Sequence, residues 1–115
     1  MHPVVFHIDE LSKWGLLLKN VANLISAYGE LPRPAAIEVV ANAQAVEGYL
    51  HSGTGGLGAR MPSLQGQSVR FVACGNALRE RGIGRKDLFP FVEVVPAGVR
   101  ELVERQGEGY AYLKP

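Results

Sequence analysis

The chain has 115 residues, 47% apolar and 20% charged, and its 12 basic and 11 acidic side chains nearly cancel to a net charge of +1. That suits a single domain over residues 1–115 with its own core, needing neither disulfides nor a structural metal. It argues against a nucleic-acid partner, because only Arg79, Arg81, Arg85 and Lys86 lie close together, and such a group reads as a solvated helix face.

The first residues, Met1-His2-Pro3-Val4-Val5-Phe6, lack the basic region and long apolar stretch of a signal peptide, and no apolar run is long enough for a bilayer span. With Cys74 as the sole cysteine, a cytoplasmic protein without membrane contact is expected. The apolar run Val4 to Ile8 reads as a strand. Trp14, Leu16, Leu17, Leu18, Val21, Leu24 and Ile25 then recur on one broad helical face, with Ser12 as the expected cap and Gly29, Pro32 and Pro34 as the stop. Ile37 to Ala41 resumes as a strand, and Ala43 to Leu50 has helical composition. His51 to Gln67 reads as a linker. Val69 to Cys74 is a third strand, followed by a short helix over Ala77 to Arg81 closed by Gly82. Val92 to Val95, a helix from about Gly98 to Gln106, and a terminal strand over Gly109 to Leu113 complete the pattern.

Strands that are apolar throughout and alternate with helices imply a parallel sheet covered on both faces, since a half-exposed antiparallel sheet would alternate polar and apolar residues. The expected fold is therefore a three-layer α/β/α sandwich around a mainly parallel five-stranded sheet. In such sheets ligands collect at the carboxyl ends of the strands, near the point where strand order reverses.

Cys74 ends the third strand, just before Gly75-Asn76 and the short helix. A thiol beside a helix N-terminus meets unpaired N–H donors that favour thiolate. Gly75 permits close backbone approach, and Asn76 is a suitable N-cap. The competing reading is a buried, inert cysteine. His7 and Asp9 end the first strand, Asn42 ends the second and Pro96 follows the fourth, so polar groups should converge on one rim. His7 as a structural histidine and Asp9 as a turn cap remain alternatives. Asn20 and Asn23 interrupt the first helix and read as its polar face. Gly53, Gly55 and Gly58 spell G-x-G-x-x-G, but after a helix and before Met61-Pro62 instead of between a strand and a helix, so a surface loop is expected. His2, His7 and His51 have no metal-ligand spacing, and no metal is expected. Tyr110 and Tyr112 share one side of the last strand, where they either pack inside the monomer or face a second copy.

The segment Val69-Arg70-Phe71-Val72-Ala73-Cys74-Gly75-Asn76-Ala77-Leu78 resembles the strand, cysteine, helix segment of DsrE/DsrF-like proteins, which share the YchN-like fold. Val94-Val95-Pro96-Ala97-Gly98-Val99, the tail from Gln106 to Pro115, and His7-Ile8-Asp9 with Trp14, Asn20 and Asn23 resemble a small single-domain branch of that family. The resemblance implies a flavodoxin-like layering and a homo-oligomer, trimer or hexamer; no cofactor is expected. It also implies that Cys74 accepts sulfur as a persulfide from a sulfur donor and passes it to an acceptor protein. The Gly75-Asn76 step differs from the small apolar residues that usually follow the relay cysteine. The other function considered is a non-catalytic oligomeric module that binds a small ligand, with Cys74 lining the pocket.

Overall fold

Strands that are apolar along nearly their whole length need cover on both faces. The computed structural model describes residues 2–29, 31–51 and 57–115, with the side chains of 57–59 left out. Strands β1 (Val4–Ile8), β2 (Ile37–Ala41), β3 (Val69–Cys74), β4 (Glu93–Val95) and β5 (Ala111–Leu113) form one sheet in the order β4-β3-β2-β1-β5. Every pairing is parallel. The helices are α1 (Trp14–Tyr28), α2 (Leu57–Gln65), α3 (Gly75–Glu80) and α4 (Gly98–Gly107).

The order decides which face each helix covers. From β1 to β4 the chain steps in one direction across the sheet, and the right-handed rule for parallel crossovers keeps the connecting segments on one side. To reach β5 it must travel back past β1, so the last crossover, α4, falls on the opposite side. The two cores follow. On the first face Phe6, Ile8, Val39 and Phe71 pack against Trp14, Leu17, Leu18, Tyr49 and Met61, all buried. On the second, Val5, Val40, Val72 and Leu102 form a smaller cluster, with Val95 and Tyr110 against it. The expected three-layer parallel fold is therefore present, with α4 the only helix on its side among the described residues.

Buried polar groups in the large core are paired. Trp14 Nε1 donates to the carbonyl of Ala45 at 2.8 Å, and the Tyr49 hydroxyl to that of Val72 at 2.9 Å. Gly48 is required beside them, because a Cβ there would lie within the Trp14 indole.

Several local expectations are corrected. Ser12 does not cap α1: it lies within a 3-10 turn, Leu11–Lys13, and Lys13 precedes the helix without a side-chain cap. Gly29 does end α1, at φ +53. The segment after β2 is a 3-10 helix, Ala43–Tyr49. Within the stretch read as a linker, α2 forms despite Pro62, because Met61 and Leu64 are buried in the core. Residues 52–56 of the glycine-rich segment lie outside the described residues, but a helix does begin at Leu57, which the sequence reading had not allowed for. The short third helix starts at Gly75, two residues earlier than expected, and β4 and β5 shrink to three residues each.

Gly48→Ala is expected to destabilise the domain by about 1–3 kcal/mol through overpacking, measured by denaturant unfolding. An unchanged midpoint would contradict the seating of Trp14 on Gly48.

Candidate functional site

Because all five strands run the same way, their carboxyl ends share one rim. Cys74 closes β3 and is itself the N-cap residue of α3, at φ −73 and ψ 115. Asn76, expected as the cap, is the second residue of the helix, exposed, and accepts a hydrogen bond from Arg79 one turn on. Two glycines make the rim close. A Cβ on Gly75 would lie 2.9 Å from the Val95 carbonyl oxygen and 3.4 Å from that of Pro96. One on Gly98, the first residue of α4, would lie 3.2 Å from Cys74 Cβ and 3.3 Å from Asn42 Cβ. The first turn of α4 thus rests directly on Cys74 and Asn42, and Cys74 is only 7% exposed.

Next along the rim, His7 Nε2 contacts Asn42 Oδ1 at 3.0 Å and His7 Nδ1 contacts the Tyr112 hydroxyl at 2.6 Å. An amide oxygen only accepts, so Nε2 carries the proton and donates, while Nδ1 accepts from Tyr112. Asn42 thus has His7 on one side and Gly98, which also rests on Cys74, on the other. Asp9 does not cap the turn; its carboxylate pairs with Lys114 at 3.2 and 3.3 Å at the surface. Pro96 is exposed and opens a cleft of about 450 Å³ that runs between β4 and α4 past Glu101 and Arg105. The structure thus joins Cys74, Asn42 and His7, keeps Gly75 and Pro96 at their edge, and leaves Asp9 and Asn76 with other partners. Asn20 and Asn23 border a separate cleft of about 320 Å³ beside the carboxyl-terminal tail. Among the described residues no group of three or more His, Cys, Asp or Glu side chains is placed to hold a metal ion, and no helix is long and apolar enough to cross a membrane.

The model of the DsrE/DsrF-like family matches residues 4–115. The chain belongs to that family. Among solved structures, a protein of unknown function, MTH1491 from Methanobacterium thermoautotrophicum, superposes with a TM-score of 0.88 at 39% identity over 100% of both chains. The YchN protein of E. coli gives 0.78 at 19% identity, again over 100% of both. BT1422 from Bacteroides thetaiotaomicron, also of unknown function, gives 0.75 at 12% identity over 98% of this chain and 94% of its own. No curated protein matches the chain.

Tyr112, Gly98 and Glu38 are site residues of this DsrE/DsrF-like chain that the sequence pattern alone does not single out. Tyr112 had stood out only as one of a tyrosine pair; its partner Tyr110 packs inward, with Arg105 5.9 Å from its ring centre. Glu38 interrupts the β-branched run of β2 and is fully buried on the α4 face. Burial, then a side-chain hydrogen bond to Glu101 and repulsion from it, raise its pKa from 4.5 to about 8 against the pull of Arg70 and Arg105. Glu93 is lowered, chiefly by its hydrogen bond from Arg70.

The sign of the pH dependence follows. Between about 4.5 and about 8 the folded chain keeps a proton on Glu38 that the unfolded chain has released, so folding stability falls as pH rises through this window. Glu93, shifted the other way, contributes only below 4.5. Relative to the wild type, Glu38→Gln is expected to gain stability toward the alkaline end, by up to about tenfold in the folding equilibrium per pH unit. Unfolding curves across this range with a constant difference between the two proteins would contradict it.

Proposed function

We propose that the protein is a carrier of sulfane sulfur in which Cys74 holds a persulfide at the strand-end rim. The observation that supports the reading best is the position of Cys74 in a chain of the DsrE/DsrF-like family: it closes β3, with the first residue of α3 after it and the first residue of α4 packed on its Cβ. Unpaired N–H groups in the first turn of α4 favour negative charge nearby. In the transfer, the Cys74 thiolate attacks the terminal sulfur of a donor persulfide. The donor's S–S bond breaks, a new one forms at Cys74, and the donor leaves as a thiolate. Asn42, oriented by its bond from His7, lies with Cys74 under the first residue of α4. Burial of Cys74 restricts the donor to a small persulfide, or requires the first turn of α4 to move.

Incubation of the reduced protein with a small-molecule persulfide should add the mass of one sulfur atom to the wild type and none to Cys74→Ser, read by intact mass. Absence of the adduct across several donors would count against a carrier. The low exposure of Cys74 favours a second reading, a small-ligand-binding module in which the thiol only lines the pocket. In that case ligand-induced thermal stabilisation survives in Cys74→Ala.

Assembly into trimers or hexamers in the cytoplasm belongs to the same reading. Val99 and Val103, one turn apart on the outer side of α4 and 63% and 68% exposed, are the apolar surface it would cover. Light scattering on the eluting protein is expected to give a multiple of the chain mass, and a strict monomer would remove this part of the proposal.

A further inference from the structure

Glu38 is the second residue of the central strand, and only one of its carboxylate oxygens has a donor. Oε1 accepts from Arg70 Nη1 at 2.9 Å, while Oε2, fully buried, has none. α4 packs over this strand, with Leu102 against Val40, and next to Leu102 it carries another acid, Glu101, 13% exposed, whose carboxyl acts on that of Glu38 and pushes its pKa up. Two carboxylates are both acceptors and bond only if a proton lies between them.

The surrounding charges do not remove the conflict. Arg70, on β3, is already committed to Glu93 of β4 through two hydrogen bonds of 2.9 and 2.7 Å. Arg105, on α4, reaches Glu101 at 3.6 Å and Glu108 at 3.0 Å, and its Nε is buried without a partner. From β1 the neighbour in register is Val5, and across the sheet stands the buried phenol of Tyr49. Arg100 and Glu104, both exposed, line the cleft beside α4. Four carboxylates, Glu38, Glu93, Glu101 and Glu108, thus share two guanidiniums, and a single proton halves the excess of two negative charges.

We propose that Glu38 and Glu101 share one proton, and that this proton latches α4 to the sheet over Cys74. Glu38 is fixed in the central strand between β1 and β3, so when the proton is lost the relief must come from Glu101 moving toward water, and α4 moves with it. Gly98 at the head of the same helix is what covers Cys74, so loss of the proton uncovers the thiol. The latch does not depend on what Cys74 carries; only its role in gating sulfur transfer rests on the carrier reading.

Amide hydrogen exchange on the full chain, at pH values spaced between about 4.5 and about 8 and corrected for base-catalysed intrinsic exchange, tests it. In the wild type, protection of residues 98–107 is expected to fall by up to about tenfold per pH unit relative to β1–β3. In Glu38→Gln it should not, and Glu101→Gln, on the helix surface side, provides the same comparison should the strand variant fold poorly. An unchanged α4 in the wild type, or an equal loss in either variant, overturns the latch. Alkylation of Cys74 by a small haloacetamide, normalised to the unfolded chain at each pH, should rise with α4 opening in the wild type only; if it does not, the latch does not govern the thiol. Cys74→Ser should keep the α4 transition, so a failure to load sulfur leaves the exchange result standing.

Discussion

The second face of the sheet has one described helix to cover it, and the seating of that helix is the constraint on which the rest depends. α4 must come close enough at its first residue for Gly98 to touch Cys74 and Asn42, and it must lie over a strand that carries a buried carboxyl at Glu38. The first requirement is met by the absence of a side chain. The second is met by a cluster of six charged groups, among which acids outnumber bases. An apolar pair at positions 38 and 101 would hold the helix more simply, since buried charges seldom add stability over well-packed hydrophobic residues. A buried acid in this place makes the seating of α4 responsive to protons, and it does so in the element that lies against the thiol.

The rim itself is assembled from distant parts of the chain. β1, β2 and β3 bring His7, Asn42 and Cys74 into one line through parallel pairing, and the return of the chain to the far edge adds Tyr112 from β5. The Tyr112 hydroxyl and the Asn42 amide together choose the tautomer of His7 and orient its ring. Tyr112 thereby connects β5 to His7 at the end of β1, and Lys114 ties the tail down at Asp9 just beyond.

Much of the fold was legible because the strands are apolar runs of the right length and the helices between them keep their period. The parallel sheet, α1 and the strand-end placement of Cys74, Asn42 and His7 all follow from that pattern. What failed was local and had physical causes. Ser12 looked like a cap, but the chain tightens into a 3-10 turn before α1 begins. The segment with Pro62 looked like a linker because propensity was weighed without the burial of Met61 and Leu64 that sustains α2. Asn76 looked like the cap of a helix that in fact begins two residues earlier, at Gly75, leaving Cys74 in the cap position. The site residues missed depend on tertiary geometry: Gly98 matters only once α4 lies over β2 and β3, and Tyr112 only once β5 pairs with β1. Glu38 did leave a trace, a charged residue inside a run of valine and isoleucine that should have been apolar on both faces.

The central claim is that Glu38 and Glu101 hold a proton between them beneath α4. Carbon-13 chemical shifts of the two side-chain carboxyls, followed by NMR across the pH range, report it directly. A shared proton holds the Glu38 carboxyl well above the ordinary glutamate range, pushed up to about 8, and its loss shifts the Glu101 carboxyl carbon at the same pH. A Glu38 carboxyl that titrates at 4.5, with no accompanying change at the Glu101 carbon, would contradict it.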